Sequence, residues 1–183
     1  MYEGLRRGTL TKLPEVTLLF WILKIAATTL GETGGDTVTM TLQWGYLAGT
    51  ALFFVLLVML VTAQIRSREF HPVAYWAAIV ASTTFGTAMA DFADRSLGIG
   101  YTGGSTLLLA LLMIALGLWF WSEGTISVNT VVRPRTEAFY WGAITLSQKL
   151  GTALGDWLAD TGGLGYEGGA LVFAAGLAIL AAL

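Results

Sequence analysis

The sequence predicts an all-α membrane protein with six transmembrane helices arranged as three repeated helical hairpins. Three observations support this. The 183 residues are 55% hydrophobic and only 12% charged, with a mean hydropathy of +0.69, whereas a soluble domain carries about 25% charged residues. Six stretches are each apolar over about the 20 residues that a bilayer-spanning helix needs. The spaced pattern W-x9-G-[ET]-x3-D-x8-G-Y-x2-G also recurs three times without a gap.

The spans fall at roughly 14–36, 44–65, 72–94, 101–121, 137–159 and 165–183. Paired, they give repeat units of about 14–65, 72–121 and 137–183 in a single membrane domain covering 1–183. The lead "MYEGLRRGTLTKLPEV" is basic before an apolar run, as a signal peptide is, but no small-residue cleavage site follows. It reads as the entry to a first, retained helix. Arg6, Arg7, Lys12, Arg66, Arg68, Arg133 and Arg135 fall on one side of the spans and only Arg95 on the other. By the positive-inside rule both termini are expected in the cytoplasm of a multi-pass protein of the bacterial inner membrane. The chain stops at Leu183, within one or two turns of where the sixth span should leave the bilayer. That expects either a helix ending at the interface or a piece of a longer protein.

Several classes are excluded. There is no cysteine, hence no disulfide or thiolate metal site. A net charge of −2 offers nothing to nucleic acid. The Gly-rich pieces lack the Lys-Ser/Thr of a phosphate loop, and there is no HExxH or nucleophile elbow, so neither an enzyme nor a cofactor is expected.

Each repeated position has a physical reading. Trp21, Trp76 and Trp141 begin the first helix of each hairpin, where an indole suits the interface. Gly31, Gly86 and Gly151 follow about 15 Å further on. At that depth a missing side chain lets two backbones approach. Asp36, Asp91 and Asp156 stand about 22 Å from the Trp, inside the outer third of the bilayer core. Gly45, Gly100 and Gly165, each followed by Tyr46, Tyr101 or Tyr166, open the second helix, with Gly49, Gly104 and Gly169 one turn on.

A carboxylate at membrane depth costs about 2.5–3.5 kcal/mol even on lenient scales. Three repeated Asp residues therefore expect a compensating environment, although an Asp so near a helix end also fits a plain interfacial position or a cap, as Asp94 and Asp160 do. Glu32 lies one turn inward on the face of Asp36, with Thr28 a further turn in. Thr87 and Thr152 occupy the slot of Glu32 in the other repeats. Lys149 stands about 12 Å beyond Trp141, near the midplane and on the face of Asp156, where it pairs with an acid either as a structural bridge or as a working counter-charge. Lys24 is shallow enough to snorkel, and the lone His71 fits a loop.

The segments "TTLGETGGD", "STTFGTAMADFADRSLGIGY" and "SEGTISVN" leading into "RPRTEAFYWGAITLSQKLGTALGDWLADTGGLGY" resemble a bacterial family of membrane-anchored proteins built from a transmembrane repeat of unassigned function. The resemblance spans nearly the whole chain. It implies fold and membrane location but no substrate, and it implies that members usually carry four repeats where this chain has three.

The residues themselves lead to a transporter or exporter of a divalent or other small cation. In that reading Glu32, Asp36, Asp91 and Asp156 are the metal ligands, Thr28, Thr87 and Thr152 add hydroxyl oxygens, and Lys149 is the counter-charge. The rival is a non-transporting membrane scaffold or sensor whose polar residues serve helix packing. The expected partners are the lipid bilayer and a metal cation, with a homo-oligomer left open.

Overall fold

Helix starts are written into the chain. In a computed structural model, which describes residues 12–67, 69–96, 98–128 and 131–182, Thr17 accepts the N–H of Phe20 at 3.3 Å and caps α1, Leu18–Asp36. Pro72 and Pro134 open α3, Pro72–Asp91, and α5, Pro134–Asp156, at the first turn, where a missing N–H costs nothing. The second helices of the repeats are α2, Tyr46–Arg66, α4, Gly100–Glu123, and α6, Gly165–Ala182. Arg6, Arg7, Arg68 and Leu183, together with the side chains of Asp94 and Arg95, lie outside the described residues.

The three repeats make the same local structure. Each first helix ends its α-helical part on the repeated Asp and widens into a five-residue π-helical turn: Thr37–Thr41, Phe92–Ser96 and Trp157–Thr161. The Leu42 N–H reaches Thr37 O, and the Gly162 N–H reaches Trp157 O, both at 2.8 Å. Gly45, Gly100 and Gly165 then take φ of 79°, 70° and 65° to start the second helix, a left-handed conformation that favours glycine. Two residues earlier, Gln43 at φ 56° holds the conformation that Gly98 and Gly163 take in the other repeats.

By length and composition α2, α3 and α4 can cross a membrane. Acids, lysines and threonines dilute α1 and α5, and α6 supplies a shorter apolar stretch, Gly165–Ile179. The all-helical, three-hairpin architecture agrees with the sequence reading, but the packing is interleaved. α1 and α2 pack on α3 rather than on each other, and α4 packs on α5. α3 is therefore the central helix, with Tyr75, Ala78, Ile79, Ser82 and Ala88 all buried. Among the described residues no first helix covers α6, which is exposed along most of its length.

The repeated tryptophans part company in this packing. Trp21 is 51% exposed, whereas Trp141 is 2% exposed within an apolar core of Tyr75, Ile79, Trp119, Val131 and Tyr140. The Tyr75 and Tyr140 hydroxyls hydrogen-bond at 2.8 Å inside that core. At the same end, Lys12 pairs with buried Glu137 at 2.5 Å and donates to Ile65 O at 3.0 Å, tying the chain's lead to α2 and α5. Lys24 does not snorkel. Its Nζ is buried and has no hydrogen-bond partner among the described residues, because the packing around α1 closes over it.

Candidate functional site

The repeated Asp places a carboxylate where each first helix passes from α to π geometry. Because α1, α3 and α5 run in the same sense side by side, the three junctions lie around one space. That space is a cavity of about 400 Å³ lined by Glu32, Asp36, Thr87, Asp91, Lys149, Thr152 and Asp156. All four predicted acids, the predicted lysine and two of the three predicted threonines are thus brought together. Thr28 is not among them. It stands a level deeper and lines a smaller chamber of about 50 Å³ with Ser82, Thr83 and Gln148, its hydroxyl donating to Lys24 O at 2.8 Å. Thr87, Lys149 and Thr152 line both spaces and form the neck between them.

Charge is balanced across helices. Thr152 on α5 donates to Glu32 Oε1 on α1 at 3.2 Å. Asp156 lies in the field of the Lys149 ammonium, which attracts it, and of Asp160, Asp91 and Glu32, which repel it. Lys149 is 2% exposed, and its stem lies against Gly86, where an added Cβ would stand 3.1 Å from Lys149 Cδ. That glycine makes room for the lysine: the close approach predicted at Gly86 is a backbone-to-side-chain fit, while Gly31 brings α1 directly onto Val80 and Thr83 of α3. Gly151 meets nothing within 4 Å, so the predicted contact is absent in the third repeat, where no further first helix follows among the described residues.

Below the neck, Ser82 hydrogen-bonds Thr145 and Gln148 at 2.9 Å each, a polar cluster between α3 and α5. Sequence reading missed it because Ser82, Thr145 and Gln148 occupy different repeat slots and share a place only through packing. It also missed Tyr101 and Tyr166 as cavity residues. Their signal was present in the repeated Gly-Tyr, which was read only as the opening of the second helix.

Chemically, the cavity offers four carboxylates and threonine hydroxyls against one ammonium. Among the described residues no three His, Cys, Asp or Glu side chains draw close enough to hold a bare metal ion. The acids ring a space that has on the order of ten waters' share of liquid volume. This suits a cation that keeps part of its hydration shell, as Mg²⁺ does.

No curated protein and no solved structure matches the chain. A family profile described as a repeat of unknown function, DUF347, matches it at residues 19–70, 74–125 and 139–183, each match covering one Trp-to-Gly pattern and most of its two helices. With three successive matches over most of its length, the chain belongs to the DUF347 repeat family.

Proposed function

We propose that this protein is a multi-pass transporter or exporter of a small cation, a divalent ion being the best match, in the bacterial inner membrane with its N-terminus cytoplasmic. The observation that carries the reading is the gathering of Glu32, Asp36, Asp91 and Asp156 with Lys149 around one cavity by three helices of repeated sequence. Repeats meeting at a polar centre are a common transporter plan, and carboxylates at membrane depth are costly enough that function is their default explanation. The acids attract a partly hydrated cation. Thr87, Thr152 and the smaller chamber below offer neutral oxygens, and the Lys149 ammonium satisfies Asp156 and its neighbours when the ion has left. The aromatic core around Tyr75, Tyr140 and Trp141 seals the opposite end. No nucleophile and base stand together in this reading, so it includes no enzymatic step.

The test is metal flux in proteoliposomes with Mn²⁺ and Mg²⁺ as probes, alongside elemental analysis of the purified protein. Glu32→Gln and Asp156→Asn are each expected to abolish flux while the protein still reaches the membrane, at a reduced yield for Glu32→Gln. Lys149→Ala is expected to recover part of the yield lost in Glu32→Gln, because an unpaired buried charge is the costly species. Absence of flux for either ion in the wild type, with no bound metal, would reject transport of these cations and leave the acids as packing groups of a membrane scaffold.

A further inference from the structure

The acid-lined cavity has a wall that a hydrated metal ion does not call on. Beside the carboxylates stand Tyr101, Tyr166, Phe173 and Met40. A hydrated metal ion shows such side chains only water. An organic cation shows them both a charge and methylene groups, which aromatic faces and a thioether attract. The volume of about 400 Å³ lies within the roughly 300–1,000 Å³ of small-molecule sites, where an apolar lining carries a few placed polar groups.

Two further observations name the chemistry of that cation. Thr87 lines the cavity at 9% exposure, and its hydroxyl has no hydrogen-bond partner among the described residues. A buried polar group left without a partner is costly, so this oxygen fits a donor that a ligand brings. Thr87 lies against α1 between the levels of Glu32 and Asp36, its Cβ 3.5 Å from where a side chain on Gly35 would begin. The second observation is that the space already accepts an alkylammonium: Lys149 is 2% exposed, lines the cavity and acts by its charge on Asp156.

The acids stand on two levels. Asp36, Asp91 and Asp156 each close the α-helical part of a first helix. Glu32 is one turn deeper on the face of Asp36, where Thr152 donates to its Oε1 at 3.2 Å. One turn of four residues is a rise of about 6 Å, which a chain of four methylenes between two nitrogens spans. The chamber below the neck, about 50 Å³, admits water but not such a chain, so Thr87 and Lys149 form the floor.

We propose that the cavity binds a linear organic dication, a short α,ω-diaminoalkane, with one ammonium at Glu32 and Thr87 and the other among Asp36, Asp91 and Asp156. Each ammonium carries three N–H donors, and the carboxylates and the Thr87 hydroxyl accept them. The methylenes between lie along Tyr101 and Tyr166. The ligand presents the same group as Lys149 and competes with it for the same acids. The two charges of a divalent cation are then carried on separate nitrogens, one for each level of acids. This names the substrate class of the transport reading and rests on that reading for movement across the membrane, whereas binding does not.

Equilibrium dialysis of the purified full chain in detergent, with radiolabelled 1,4-diaminobutane as the probe, tests the assignment. Saturable binding is expected, with 1-aminobutane weaker by about tenfold or more because one ammonium–carboxylate pair is lost. Thr87→Val removes a hydroxyl that bonds nothing among the described residues and keeps the side chain's shape. It is expected to leave the thermal midpoint in place and to weaken diamine binding by about tenfold. Tyr166→Ala trims a ring that is 72% exposed, so the fold is expected to hold while diamine binding falls several-fold. Diamine binding no tighter than that of 1-aminobutane, or binding unchanged in both variants, would overturn the proposal. Proteoliposome flux separates its failure from that of the transport reading. Diamine binding without flux of diamine or metal keeps the site and rejects transport, whereas Mn²⁺ or Mg²⁺ flux by a protein that binds no diamine keeps transport and rejects this ligand.

Discussion

Alanine at the three repeated glycines makes one perturbation in three environments, and the structure ranks the outcomes. At Gly31 the new Cβ would stand 2.7 Å from Thr83 Cβ and 2.9 Å from the Val80 carbonyl oxygen, so α1 and α3 must separate. Overpacking of this kind costs about 1–3 kcal/mol. Alanine returns up to about 1 kcal/mol in helix propensity, leaving Gly31→Ala destabilised by about 1–2 kcal/mol. At Gly86 the nearest atom is Lys149 Cδ at 3.1 Å, part of a flexible stem that can yield by a few tenths of an ångström. There the two contributions nearly cancel, and a change within about 1 kcal/mol is expected. At Gly151 nothing lies within 4 Å, so only the propensity gain remains and the fold is unchanged or more stable by up to about 1 kcal/mol. Denaturant titration in mixed micelles, followed by helical circular dichroism, measures all three. Equal losses at Gly31 and Gly151, or a Gly31→Ala protein as stable as wild type, would refute the successive packing of first helices.

Three further outcomes are expected. Gln43→Gly should stabilise the first turn by about 0.5–1 kcal/mol, because a side chain at φ 56° is strained, while Gln43→Val should lose about 1 kcal/mol or more in the same titration. Lys12→Met should cost about 3–5 kcal/mol by stranding the carboxylate of Glu137, whose side chain is 2% exposed, and the double change with Glu137→Met should recover most of that loss; a single-variant loss of only ~1 kcal/mol would mark the pair as an ordinary surface bridge. For the proposed orientation, cysteines introduced at Ser67 and Ser127 should resist an impermeant thiol reagent in intact cells and react after lysis, and ready labelling of intact cells would reverse it.

Some of this was determined by the sequence alone. Apolar length and the threefold Trp-to-Gly pattern gave six helices in three hairpins, since a bilayer admits little else for such segments. The same pattern put Asp36, Asp91 and Asp156 at one level, and the i, i+4 and i, i+7 spacings placed Glu32 a turn deeper on the face of Asp36 and Lys149 on the face of Asp156, because a helix repeats every 3.6 residues whatever surrounds it. Periodicity names a face but not the neighbour that covers it. Only the tertiary structure decided that α2 leans on α3 rather than on α1, that Trp141 enters the core while Trp21 stays exposed, and that Thr28 falls into the lower chamber. The π-helical turns after each Asp were equally invisible, since they depend on backbone hydrogen bonds that no residue type marks. Gly31, Gly86 and Gly151 are one letter in one register, yet the first meets a helix backbone, the second a lysine stem and the third nothing. Identical local sequence leaves those three alike, and position in the array, which fixes what comes next to each, separates them.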